Sequence, residues 1–217
     1  QGQRRGDRAR CAVRPYARRL THMAPKSGMP VATIAAGRVL HRVHGATVAA
    51  RWYGRKDGTW RWDDPEGKFG VLYLGKTLIG PFAEALLRTP NDRDVLWDQV
   101  ASKRAAGFTT TRAIRLAKVH GPGLGWFRTT AAGVSADFDP VDNPGAYAVP
   151  QQIAADIYKS TSLDGVQYRS RFDSDEFCIA LFDRADDAIA PATAGVAIGK
   201  DWTRKLLANR GYTLIEL

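Results

Sequence analysis

Cysteine is nearly absent from this chain. The only two, Cys11 and Cys178, leave no CxxC pair and no disulfide framework, which suits a reducing cytoplasm and excludes a small stapled scaffold. Cys178 sits inside the apolar run Phe177-Cys178-Ile179-Ala180-Leu181-Phe182 and reads as an inert core thiol. Histidine is also scarce, at four residues. His41 and His44 are three apart, a spacing that sends their side chains to opposite faces of a strand, so they cannot chelate one ion together. With no Cys or carboxylate cluster beside them, no metal is expected. No apolar run reaches the length of a membrane span, and residues 1–28 lack the apolar core of a secretory signal. No serine sits in a Gly-x-Ser-x-Gly elbow. Gly121-Pro122-Gly123-Leu124-Gly125 carries a proline and no helix after it, so it reads as a plain turn rather than a phosphate loop.

Apolar residues are plentiful. At 44% hydrophobic and 25% charged, the 217 residues fit one globular domain with a real core. The net charge of +10 suggests a nucleic-acid binder, but its distribution argues against that reading. Residues 1–28 hold Arg4, Arg5, Arg8, Arg10, Arg14, Arg18, Arg19 and Lys26 against Asp7 alone, which accounts for +7 of the +10. The remainder is only mildly basic, as a phosphate-binding cleft would make it. Lacking apolar periodicity, residues 1–28 read as a disordered basic tail. A transit peptide, or a native start at Met23 or Met29, are the alternatives. Residues 29–217 read as the single folded domain.

Within that domain, apolar patterning predicts strands over 37–44, 70–75, 112–120, 166–172, 177–182 and 211–215, with a short apolar run at 31–34. Helices are expected from Pro81, which suits a first helical turn, to about Arg88, over 94–106, over 150–159, and from a capping Asp201 to Ala208. Strands 166–172 and 177–182 should pair across Asp173-Ser174-Asp175. Without βαβ regularity, the class is α+β with a mixed sheet.

One stretch combines chemically useful residues in order: Arg61 in Trp60-Arg61-Trp62-Asp63-Asp64-Pro65, Tyr73 in Gly70-Val71-Leu72-Tyr73-Leu74-Gly75, and Glu84 in Pro81-Phe82-Ala83-Glu84-Ala85. A loop edge, a strand and a helix start can set one cation, one ring and one carboxylate around a single pocket. Ser170, in Asp164-Gly165-Val166-Gln167-Tyr168-Arg169-Ser170-Arg171-Phe172, could add a hydroxyl. Cleaving the nicotinamide–ribose bond of NAD needs such parts. A carboxylate stabilises the ribosyl cation, arginine forks grip the pyrophosphate, a ring stacks on nicotinamide and a hydroxyl fixes the ribose. Glu84, Arg61 with Arg42, Tyr73 and Ser170 could supply them in turn. Singly, each has an ordinary structural reading; Glu84, for instance, would complement a helix dipole.

The set resembles the RES domain family, named for its Arg, Glu and Ser, over roughly Arg38 to Leu217. The likeness rests on His41-Arg42-Val43, Arg61-Trp62-Asp63-Asp64-Pro65, Gly70-Val71-Leu72-Tyr73-Leu74, Ala83-Glu84, Asp164-Gly165, Tyr168-Arg169-Ser170-Arg171 and Ala180-Leu181-Phe182-Asp183. The resemblance implies an ADP-ribosyltransferase-like fold and a cytoplasmic toxin that depletes NAD by hydrolysis or phosphorolysis. A cognate antitoxin would hold it silent. By the same resemblance Arg42, Arg61, Tyr73, Glu84 and Ser170 are active-site positions. The segment Arg51-Trp52-Tyr53-Gly54-Arg55-Lys56 departs from the pattern, so Arg51 or Arg55 could replace Arg42. Two alternatives stand: a protein ADP-ribosyltransferase using the same pocket, and a non-catalytic nucleic-acid binder acting through its basic tail.

Overall fold

The computed structural model describes residues 28–88, 92–139 and 141–216. Of the basic segment expected to form a tail, only Gly28 is among them. The elements run β1 (Val31–Ile34), β2 (Val39–Gly45), β3 (Val71–Gly75), α1 (Ile79–Leu86), β4 (Asp94–Leu96), α2 (Trp97–Ala101), β5 (Lys103–Thr110) and β6 (Ile114–Lys118). There follow α3 (Pro122–Trp126), α4 (Ala131–Ser135), α5 (Ala148–Ser160), β7 (Gly165–Arg169), β8 (Phe177–Phe182), β9 (Ile189–Ala197), α6 (Lys200–Ala208) and β10 (Thr213–Ile215). Eight strands form one sheet in the order β1-β6-β7-β8-β3-β2-β5-β9. Within it β6 and β7 pair parallel and the other neighbours antiparallel. A separate parallel pair joins β10 to β4. The α+β class with a mixed sheet flanked by helices is therefore what the chain adopts.

Strand alternation divides the core. Val71 of β3, with Ala180 and Phe182 of β8, faces a cluster built with Trp62, Phe69 and the buried side of α5, Ile153, Ala154 and Ile157. Leu72 and Leu74 face the opposite cluster with Leu40, Phe108, Leu116, Ile179 and Leu181. A third cluster seats α1 and α6 through Phe82, Ala83, Leu87, Leu206 and Leu207, with Val43 of β2 and Ala105 of β5 packed against it. The link from β3 to α1 is tight. A Cβ at Gly75 would run into the ring of Pro81, so only glycine lets the helix turn back over the strand. Pro81 is the third helical residue, where its missing N–H is one the helix would leave unpaired in any case.

Four expectations are corrected. Residues 94–106 are not one helix: they form β4, the five-residue α2 and the start of β5, which pairs with β2 from Val39↔Thr109 to Gly45↔Lys103. Sheet pairing on both flanks, to β2 and β9, overrides the helix propensity of Lys103-Arg104-Ala105-Ala106. Gly121–Gly125 is not a plain turn, since Pro122 opens the short α3. Asp201 lies in the first turn of α6 and does not cap it; Gly199 is the cap residue. The strand expected over 166–172 ends at Arg169, and this early end frees Ser170 and Arg171 for other contacts. β7 and β8 do pair across the expected turn, Arg169 opposite Phe177.

Among the described residues no helix is long and apolar enough to cross a membrane. None of their His, Cys, Asp and Glu side chains gather in threes that could hold a metal ion.

Candidate active site

The turn that carries Arg61 is held by its own acids. Asp63 accepts the Trp60 N–H through Oδ2 at 3.0 Å, and the Trp60 carbonyl accepts the Asp63 N–H at 3.1 Å. Asp64 accepts the Glu66 N–H at 3.2 Å. Gln151 of α5 donates to the Gly58 and Trp60 carbonyls at 2.6 and 3.0 Å, which ties the turn to the helix. Tyr73 reaches in from β3, donating its hydroxyl to Asp63 Oδ1 at 2.9 Å and accepting the Trp62 N–H at 3.0 Å. Burial, and then the Asp63 charge, hold the Tyr73 hydroxyl well above the usual phenol range, so it remains a donor at neutral pH. Burial also raises the Asp63 carboxyl, partly offset by the Trp60 N–H and the Tyr73 hydroxyl. Tyr73 thus fixes the Arg61 turn through its hydroxyl, whereas the sequence suggested a ring offered for stacking.

Arg61 is 7% exposed, and its Nη1 lies 3.7 Å from Glu84 Oε2. Its guanidinium sits 5.9 Å from the centroid of the Tyr147 ring. Arg61 Nε and Nη1 are buried without a hydrogen-bond partner, an arrangement that native interiors rarely tolerate away from functional sites.

Glu84 leaves the buried side of α1 half-exposed, directed at the end of β7. Its Oε1 accepts the Ser170 hydroxyl at 2.8 Å and the Arg171 N–H at 2.9 Å. Ser170, 3% exposed, is itself set by its own N–H donating to the Glu176 carbonyl at 3.0 Å. The Phe172 N–H donates to the Ser170 hydroxyl at 3.2 Å. One carboxylate oxygen is therefore doubly anchored while the other faces Arg61, so the charge is fixed in place without being neutralised by a close ion pair.

Arg42 is not brought to this group. His41 pairs with Gly75, on the Tyr73 face of the sheet, which turns Arg42 to the opposite face. There Arg42 Nη1 donates to the Trp52 carbonyl at 2.8 Å, and burial lowers its pKa to about 10. Arg51 is engaged elsewhere, with Nε 2.6 Å from Asp186 Oδ1. Arg55 is exposed. Glu84, Arg61 and Ser170 converge, Tyr73 supports them from one step away, and none of the three candidate first arginines joins them.

A cavity of about 640 Å³ opens beside this group, lined among others by Trp60, Arg88, Asp137, Tyr147, Gln151 and Arg171. Arg171 and Tyr147 touch both the cavity and the Glu84–Arg61 pair, and Arg88 follows Glu84 by one helical turn. The Arg88 guanidinium lies 4.9 Å from the Trp60 ring centroid, and Phe138 stacks on Tyr147 at 5.2 Å. The Arg171 side chain donates to Asp137 Oδ1 at 2.6 Å and to the Ala136 carbonyl at 3.3 Å. Aromatic walls, three guanidinium groups and a fixed carboxylate suit a ligand with planar rings and phosphate charge. Sequence reasoning missed Tyr147, Arg88, Asp137 and the Arg171 side chain. Arg171 stood beside Ser170 and Arg88 one turn beyond Glu84, but nothing in the sequence marks Tyr147.

The RES domain profile matches residues 38–205. The chain belongs to the RES domain family. Among solved structures, the RES domain described here is similar to a chain of the M. tuberculosis MbcT–MbcA toxin–antitoxin complex, with a TM-score of 0.57 and 14% identity. That alignment covers 81% of this chain and 92% of the other, so the likeness is one of fold over nearly the whole folded part. No curated protein matches the chain.

Proposed function

We propose that this RES domain is an enzyme that cleaves the nicotinamide–ribose bond of NAD and acts as the toxin of a toxin–antitoxin pair. The observation that carries the reading is the Glu84 carboxylate, anchored by Ser170 and the Arg171 N–H and flanked by Arg61 at 3.7 Å, beside a cavity large enough for part of a dinucleotide. Bond cleavage builds positive charge on the ribose, and a pre-positioned carboxylate stabilises that charge without reorganising. Ser170 keeps the carboxylate aimed, and Arg61 offers unpartnered donors to a phosphate. Trp60 and Tyr147 supply the flat surfaces against which a base can lie. The reaction needs no metal. The likeness to a chain of a toxin–antitoxin complex supports the toxin role and a protein antitoxin as partner, with the cytoplasm, where NAD is abundant, as the site of action.

Incubation of the purified chain with NAD, followed by chromatography, tests the reading. Nicotinamide with ADP-ribose means water is the acceptor, and nicotinamide with a phosphorylated ADP-ribose means phosphate is. Label retained on protein would mean ADP-ribosyl transfer, and unchanged NAD overturns the proposal.

A further inference from the structure

The Arg171 side chain lies on the cavity wall with its charge already occupied. Its Nη1 is bound by Asp137 Oδ1 at 2.6 Å, while its backbone N–H holds Glu84 at 2.9 Å. The two carboxylates differ in kind. Glu84 is fixed by two donors, whereas Asp137 is 67% exposed on its side chain and takes Arg171 from the solvent side. Asp137 belongs to a strap that leaves α4, crosses the cavity with Asp137, Phe138, Pro144 and Gly145, and returns through Tyr147 to α5. The strap is closed on itself by the Asn143 side chain donating to the Asp137 carbonyl at 2.8 Å.

Arg61 adds a second guanidinium with two buried, unpartnered nitrogens, and Arg88 a third on the same wall. Three cations face two carboxylates, one of which is committed to Glu84's own work. We infer that Arg171 and Arg61 form a pyrophosphate subsite, and that Asp137 is an internal carboxylate that occupies Arg171 until a ligand's phosphate displaces it. The inference rests on the proposed dinucleotide substrate for its physiological ligand, but the subsite itself recognises a pyrophosphate. A guanidinium prefers a bidentate phosphate to one exposed carboxylate oxygen, so the exchange is downhill once the ligand enters. Displacement also frees the strap, because Asp137 is the strap residue bound to Arg171. Arg171 keeps its backbone grip on Glu84 throughout, so ligand binding and carboxylate placement meet in one residue.

The test measures the affinity of the full chain for inorganic pyrophosphate by calorimetry, with NAD cleavage assayed in parallel. Asp137→Asn removes the competing charge and keeps the shape. It should tighten pyrophosphate binding roughly two- to fivefold, as expected for loss of an exposed competing ion pair, and lower KM for NAD by a similar factor. Arg171→Ala keeps the backbone N–H and should weaken pyrophosphate binding by about tenfold or more. Asn143→Ala loosens the strap but leaves the carboxylate, and should not tighten binding. The inference is overturned if Asp137→Asn binds pyrophosphate no better than wild type, if Asn143→Ala tightens it equally, or if wild type cleaves NAD without binding pyrophosphate. Pyrophosphate binding that follows the expected pattern in a chain inert toward NAD would keep the subsite and discard the proposed reaction.

Discussion

At Glu84 the geometry separates charge from shape. Both donors to Oε1 would bind an amide oxygen as well as a carboxylate, so Glu84→Gln keeps the anchoring and loses only the negative charge. Turnover of NAD should fall by about 100-fold or more while the melting temperature stays near wild type, because the charge matters chiefly in the cation-like transition state. A variant within about threefold of wild type would remove Glu84 from the mechanism. Tyr73→Phe probes support for the neighbouring turn. It strips the Trp62 N–H of its acceptor and Asp63 Oδ1 of its donor, and should cost about 1–3 kcal/mol in urea unfolding. If stability is unchanged and KM alone rises, Tyr73 acts by stacking on the ligand after all. Arg61, Glu84 and Ser170 were legible as residue types at the ends of elements, and the structure gathers them. The supporting role of Tyr73 was not legible, because its partners Asp63 and Trp62 meet it only when the turn folds back over β3. Arg42 misled for a related reason. A strand gives each residue one of two faces, and only the pairing of His41 with Gly75 reveals which one Arg42 takes.

Among the elements, the β3-to-α1 link is the one on which the site depends. Gly75→Ala would place a Cβ against the Pro81 ring and push α1 off the sheet, carrying Glu84 away from Ser170. Strain of this kind costs about 1–3 kcal/mol, so denaturant unfolding should shift while NAD cleavage falls more steeply than stability does. A fully stable and active Gly75→Ala chain would show that the approach relaxes without moving the helix. Strands β2, β3, β6, β7 and β8 could be read from apolar runs and alternation, because they are buried by the sheet itself. Strand β5 could not, since Lys103-Arg104-Ala105-Ala106-Gly107 carries helix formers and a glycine, and its strand character comes from partners on both sides. Strand β9 was missed for another cause. Ile189-Ala190-Pro191-Ala192-Thr193-Ala194-Gly195 lies at the edge of the sheet, mostly exposed, and a proline there costs no central ladder bond.

For the whole molecule, the folded part and the basic segment should be separable. Met29 and Val31 pack against the core cluster built on α5 and β8, and the residues proposed for chemistry begin at Arg61. A chain starting at Met29 should therefore fold and consume NAD at the wild-type rate. Loss of catalysis in a truncated chain that still folds would show that residues 1–28 complete the pocket. The same truncation addresses the nucleic-acid reading, which needs salt-sensitive binding that disappears with those residues. An unrestrained NAD-cleaving enzyme would be lethal to its own cell, so silence must come from a partner covering the cavity. A wall carrying Arg61, Arg88 and Arg171 is matched by an acidic or carboxylate-ended inhibitory segment. Induced alone in a bacterium, the chain should then arrest growth, with the NAD pool falling before growth stops. Glu84→Gln, induced to the same level, should permit growth and leave NAD unchanged. Time courses of NAD for the two chains decide the point, because any toxicity arising from basic charge or from aggregation is shared by both. If both chains arrest growth equally while NAD holds constant, toxicity has another source and the catalytic reading fails with it.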